Sequence, residues 1–181
     1  SYLGYQRFIA EPKETEAVSE LSQAQYFFEL ALVSNESDSL FRLALNGGEG
    51  KYGFLDIVDE YSGTKAANLA NYSIGMSYLN LKEYDKAIVY LEKFNSDDIL
   101  LKSISLGTIG DCFSELNQPK EAYEYYKKAF KHNENIYTTP KYLFKAAIIG
   151  SELGEYRSAL NYLIRIKEEF PDSYEFNLVE V

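Results

Sequence analysis

Between Glu14 and Val33, apolar side chains fall at Ala17, Leu21, Ala24, Phe27, Phe28 and Ala31, and polar residues fill the opposite side. Steps of three and four residues place these side chains on one face of a helix, because an α-helix turns once every ~3.6 residues. One long amphipathic helix is predicted. Ser37 to Leu45 reads as a short second helix stopped by Asn46-Gly47-Gly48, and Phe54 to Tyr61 as a third ending at Ser62-Gly63. Further helices are predicted near 64–81, 84–94, 97–116, 119–131, 140–153 and 155–169. Local signals support these boundaries. Asn117-Gln118-Pro119 separates two helices, Thr139-Pro140 supplies an N-cap and a first-turn proline, and Gly154 stands where a helix C-terminus takes a left-handed residue. The fold class is all-α.

The chain from about residue 68 to 171 also repeats itself. Asn71-Tyr72-Ser73-Ile74-Gly75-Met76-Ser77-Tyr78 is followed by Tyr84 to Phe94, Thr108 to Phe113 by Lys120 to Ala129, and Leu143 to Ala147 by Leu153 to Leu163, closing on Phe170-Pro171. In each first helix a small residue recurs, Gly75, Gly110 and Ala147, and 12 residues later another, Ala87, Ala122 and Ala159. A large residue three beyond the first small one appears as Tyr78 and Phe113 but is replaced by Gly150 in the third copy. Four beyond the alanines stand Leu91, Tyr126 and Leu163, and only the third copy ends in proline, Pro171. Small residues let two helices approach, and a large residue one turn away fills the remaining gap.

These segments resemble the tetratricopeptide repeat (TPR), a helix-turn-helix unit of about 34 residues. The resemblance implies a right-handed superhelical stack of repeats near 68–101, 103–136 and 140–173, all within 64–181, with an N-terminal helical extension over 14–63. Phe54 to Tyr61 parallels Leu163 to Phe170, so the extension includes a degenerate first repeat. What the resemblance implies for function is a non-catalytic module that binds a peptide or partner helix along the stacked first helices. Counted from the small residues, the groove positions are Leu69, Tyr72, Met76, Leu79 and Asn80 in the first repeat. The second gives Ile104, Gly107, Asp111, Ser114 and Glu115; the third gives Lys141, Phe144, Ile148, Ser151 and Glu152. TPR co-chaperones that grip a terminal carboxylate use five polar residues. Here Lys141 and Lys145 match two of them, while Tyr72, Met76 and Thr108 occupy the other three, which argues against that clamp.

Composition narrows the class of function. Hydrophobic residues at 46% and charged residues at 25% are a globular balance. The formal net charge of −10 opposes binding to nucleic acid or to an anionic membrane surface. Cys112 is the only cysteine, so no internal disulfide forms. With no tryptophan, 17 tyrosines suit repeated positions between packed helices.

Candidate chemistry is sparse. His132 lies in a polar turn between repeats and reads as a solvated side chain, and Cys112 as a small core residue. One cysteine and one histidine cannot build a usual zinc site. Asp97-Asp98 occupies a predicted helix first turn, where the dipole favours negative charge, and neither that pair nor Glu168-Glu169 has calcium-loop spacing. The glycine-rich loop 46–53 lacks the Lys-Ser/Thr ending of a phosphate loop and reads as a flexible surface turn. No catalytic residue, metal or cofactor is expected.

The opening residues are apolar and tyrosine-rich, then meet Arg7 and Lys13 before the acidic helix begins. Interfacial aromatics followed by bases mark the end of a membrane span. Residues 1–13 are therefore expected to follow an upstream anchor of ~20 apolar residues, with the repeats in the periplasm; a cytoplasmic adaptor is the alternative. In overall plan the chain resembles membrane-tethered envelope TPR proteins of the Sec-translocon ancillary type. An outer-membrane assembly lipoprotein and a self-associating structural domain are further alternatives. Phe176, Leu178 and Val179 leave an apolar C-terminal segment that caps the third repeat, continues a helix or docks on a neighbour.

Overall fold

A proline opens the first helix: Pro12 sits in the first turn of α1 (Glu11–Val33), where a missing N–H costs nothing. This computed structural model describes residues 10–48 and 50–179, and the chain separates into two units, Ser1–Phe94 and Asn95–Val181. Of the segment expected to follow a membrane span, residues 1–9 lie outside the described residues, and Glu11 to Lys13 already belong to α1. No described helix is long and apolar enough to cross a membrane.

The first unit contains α1, α2 (Ser37–Asn46), α3 (Phe54–Glu60), α4 (Lys65–Asn80) and α5 (Tyr84–Lys93). Helix α1 packs on α2, α3 and α4. Its buried face is Ala17, Ala24, Phe28 and Ala31. Phe28 meets the edges of Phe41 and Phe54 at ring separations of 5.8 and 6.0 Å. Each such ring contributes about 1.5–3 kcal/mol through burial, so this aromatic trio anchors the N-terminal helices. The glycine loop that joins α2 to α3 is folded tightly on itself. Gly48 and Lys51 exchange two backbone hydrogen bonds, and a Cβ at Gly47 or Gly53 would collide with backbone across the loop. The glycines serve close backbone approach, which corrects the reading of a simple surface turn.

A second tie reaches from α1 to α4. The Glu14 carboxylate accepts the backbone N–H groups of Lys65 and Ala66 at 2.7 and 3.0 Å, while the Thr64 hydroxyl takes that of Ala67 at 3.0 Å. Three free donors at the start of α4 are thereby satisfied, two of them by a residue about fifty positions upstream. Glu14→Ala is expected to lower the stability of this unit by about 1–2 kcal/mol, read by urea denaturation; no change would mean that α1 is held by its apolar face alone.

The second unit contains α6 (Leu101–Glu115), α7 (Pro119–Lys131), α8 (Thr139–Glu152), α9 (Tyr156–Glu169) and the short α10 (Tyr174–Val179). Successive helices pack as neighbours. Tyr142, Phe130, Leu143 and Ile166 are fully buried in the core. Phe176 and Val179 of α10 pack against this core, whereas Leu178 stays 39% exposed.

One turn recurs in both units. After α4, the N–H groups of Lys82 and Glu83 bond to the carbonyls of Leu79 and Tyr78. Asn117 and Gln118 repeat this with Ser114 and Phe113, and Gly154 and Glu155 with Ser151 and Gly150. The pivot residue is left-handed each time, at φ 60° for Lys82, 56° for Asn117 and 82° for Gly154. This is the Schellman closure, which ends a helix and reverses the chain in two residues. Only the glycine adopts the conformation without strain. Lys82→Gly is therefore expected to stabilise the first unit by about 0.5–1 kcal/mol, measured by urea denaturation.

Two helix starts differ from the sequence reading. Helix α6 begins at Leu101, and Asp98 lies before it, accepting the N–H groups of Leu100 and Leu101 at 2.9 and 2.8 Å. Its carboxylate acts as a cap, held below its ordinary pKa by those two bonds. Thr139 is inside α8 and fully buried, and its hydroxyl accepts the Asn135 N–H. The carboxamide of Asn135 accepts from Tyr137 and Thr138 and closes the turn that Thr139 was expected to cap.

Candidate partner-binding surface

Helix α4 is buried over most of its circumference, at Ala66, Ala67, Ala70, Ile74, Ser77 and Tyr78 among others. The remaining strip carries the first-repeat groove positions. Leu69 is 39% exposed, Tyr72, Met76 and Leu79 are half-buried, and Asn80 is exposed. Tyr72 leans on Phe94 at a ring distance of 5.1 Å, and burial raises its pKa. An apolar strip edged by a carboxamide suits a protein side chain better than a charged small molecule.

In the second unit the positions on α6 and α8 form a tighter cluster. Asp111 accepts the Tyr126 hydroxyl at 2.8 Å and the Lys145 ammonium at 2.5 Å. Tyr126 also stacks on Tyr142, ring centroids 6.3 Å apart. Burial, then the Asp111 charge and hydrogen bond, drive the Tyr126 pKa far upward, so it stays a neutral donor. Lys145 is thus committed to Asp111, and Lys141, exposed beside the Tyr142 ring, has no carboxylate partner among the described residues. Two lysines poised together for one carboxylate are not what this face offers. Ile104 and Phe144 are half-buried, Ile148 is 45% exposed, and Glu115, Ser114, Ser151 and Glu152 are exposed. Gly107, placed in the groove by its register, is buried instead: Tyr142 lies over it.

The positions assigned to packing meet as follows. A Cβ on Gly75 would run into Leu91, and one on Gly110 into the Tyr126 ring. Ala87, Ala122, Ala147 and Ala159 are buried. Tyr78 packs on Tyr90 and Phe113 on Tyr125. Leu163 is half-buried against the core and Pro171 is exposed. At Gly150, where the third copy lacks its large residue, the Tyr123 ring of α7 would stand 3.0 Å from an added Cβ, closer than ordinary van der Waals contact. A neighbouring helix supplies the bulk that position 150 omits.

The residues weighed for chemistry have structural surroundings. Cys112 is fully buried, and burial, reinforced by Asp111, pushes its thiol up to about 12. Glu169 takes a two-pronged contact from Arg165 at 2.7 and 2.9 Å, which lowers its pKa, and Arg165 also reaches Glu134. His132 ends α7, and its Nε2 is buried without a partner among the described residues, in contrast to the solvated side chain expected there. No group of three or more metal-ligating side chains occurs among the described residues.

Paired helices closed by the same turn, with small residues at the crossing, make a helical-repeat fold. The tetratricopeptide repeat model matches residues 70–96 and 104–135, so the chain carries these repeats there. The hairpin of α8 and α9 lies outside both matched segments. Among solved structures the chain is similar to PilW, a widely conserved type IV pilus biogenesis factor, with a TM-score of 0.54 over 95% of this chain and 85% of that one. Identity is 17%, so the likeness is one of fold. Among curated proteins no sequence matches.

Proposed function

We propose that the chain is a non-catalytic scaffold that binds a protein partner along the exposed faces of its first helices. The observation that carries this reading is the pairing of exposure with apolar character: Leu69 and Ile148 remain 39% and 45% exposed on helices otherwise sunk in their hairpins. Tyr72 and Phe144 flank them as half-buried aromatic anchors, the residue type that dominates such interfaces. Replacing both with alanine is expected to weaken partner capture by about 1–3 kcal/mol in total with helicity retained by circular dichroism. Unchanged affinity in the double variant would remove the first-helix faces from the interface.

The envelope setting belongs to the same proposal. PilW serves pilus biogenesis, and a scaffold for assembling a surface structure, tethered by an upstream apolar helix with the repeats in the periplasm, is the corresponding role here. Sequencing the coding region upstream of residue 1 tests the tether; a polar leader would favour a cytoplasmic adaptor. Self-association is a second reading with its own support. Val18, Tyr26 and Val33 on the outer side of α1 are 55%, 60% and 84% exposed, and an array end without a polar cap tends to pair. Sedimentation as a concentration-independent monomer would exclude it.

A further inference from the structure

The two second helices of the second unit run against the charge of the whole chain. Helices α7 and α9 carry seven bases against four acids, while the protein's formal net charge is −10. Three of those bases, Lys120, Lys127 and Lys131, share one face of α7 and line a cleft of about 460 Å³, whose far wall is Ser158 and Tyr162 of α9. Two phenols line it, Tyr123 and Tyr162, whose oxygens lie 3.5 Å apart. Burial and the neighbouring phenol raise the Tyr162 pKa, so it remains protonated and able to donate.

The acids here are only partly compensating. Glu124 is bound to Lys127 at 2.6 Å, and Glu155 lines the cleft beside Ser158. Lys120 and Lys131 are both exposed and have no carboxylate partner among the described residues. Eleven residues separate them, about 16 Å along a helix, which is the span of about five residues of extended chain.

We propose that this cleft is a second docking surface, taking a short acidic segment of a partner protein laid along α7. Two carboxylates about five residues apart reach Lys120 and Lys131, and the Ser158 hydroxyl and one of the paired Tyr123 and Tyr162 phenols donate to the peptide between them. A protein segment fits better than an anionic bilayer, because the hydroxyl donors lying between the lysines match the backbone carbonyls of an extended chain. This surface is separate from the first-helix faces, and its test does not depend on them.

The probe is a fluorescent, end-capped hexaglutamate titrated at low salt, with capped hexalysine and phosphatidylglycerol vesicles as comparators. Hexaglutamate is expected to bind, to weaken about tenfold in Lys120→Glu/Lys131→Glu, and to weaken again as salt screens the cleft. Lys128→Glu/Arg157→Glu makes the same charge change outside the cleft and is expected to bind hexaglutamate within about twofold of the parent. Circular dichroism checks that both variants fold. Equal loss in the two variants would reduce the effect to net charge and overturn the site. So would an absence of hexaglutamate binding, or a Lys120- and Lys131-dependent interaction confined to the vesicles.

Discussion

Gly107→Ala is expected to destabilise the second unit by about 2 kcal/mol, although the same change inside an ordinary helix stabilises by about 1 kcal/mol. The reversal comes from one contact. A Cβ at position 107 would overlap Cε1 and Cζ of Tyr142, a ring that is 1% exposed and stacked on Tyr126. With no space to move into, the ring or the helix must shift, and overpacking of this kind costs about 1–3 kcal/mol or more. Tyr142→Phe keeps both ring carbons and gives no relief. Tyr142→Ala alone opens a cavity and costs about 3–5 kcal/mol, but on that background Gly107→Ala adds little. A double-mutant cycle by urea denaturation should therefore show a coupling of about 2 kcal/mol; simple additivity, or a stabilised Gly107→Ala, would mean that Tyr142 does not sit over α6.

Cys112 should be almost inert to thiol reagents while the protein is folded. Its pKa, pushed up to about 12 from an ordinary 9.0, leaves about a thousandfold less thiolate than a free cysteine at the same pH, and full burial removes access as well. At pH 8, disulfide-exchange labelling is expected to follow opening of the unit and to become fast only in denaturant. The same shift has a consequence for stability. A group whose folded pKa is raised contributes its stability in full below the unfolded value and loses it as pH rises toward the folded one. The second unit should accordingly weaken above about pH 9, with Tyr126 and Tyr162, also raised, adding to the loss beyond about pH 10. Rapid labelling of the native protein at pH 8 would contradict the burial of Cys112.

Most helix limits were legible because hydrophobic spacing and punctuation agreed: Phe54 to Tyr61 became Phe54–Glu60, and 119–131 became Pro119–Lys131. The closing turns were half legible. Gly154 announces a left-handed residue, but Lys82 and Asn117 hold the same conformation by force of the repeat, which single-residue propensity does not register. Long-range ties were invisible. Nothing near Glu14 tells that it caps α4, and Gly107 counts into the groove by register although Tyr142 buries it. The lysines of α7 had a readable signal, a seven- and four-residue spacing at Lys120, Lys127 and Lys131, but the cleft they line requires α9 beside them. Lys145 illustrates the same gap: its position on α8 was evident, its commitment to Asp111 was not.

The central claim, that the first-helix faces receive a protein partner, is tested most directly by site-specific photo-crosslinking of the full gene product in its own cells. A photoreactive residue at Leu69, Met76 or Ile148 is expected to capture the same discrete partner, and one at Asp85 or Arg157, exposed on second helices outside the cleft, to capture none. Crosslinking confined to Asp85 and Arg157, with the three first-helix positions silent, would contradict the account.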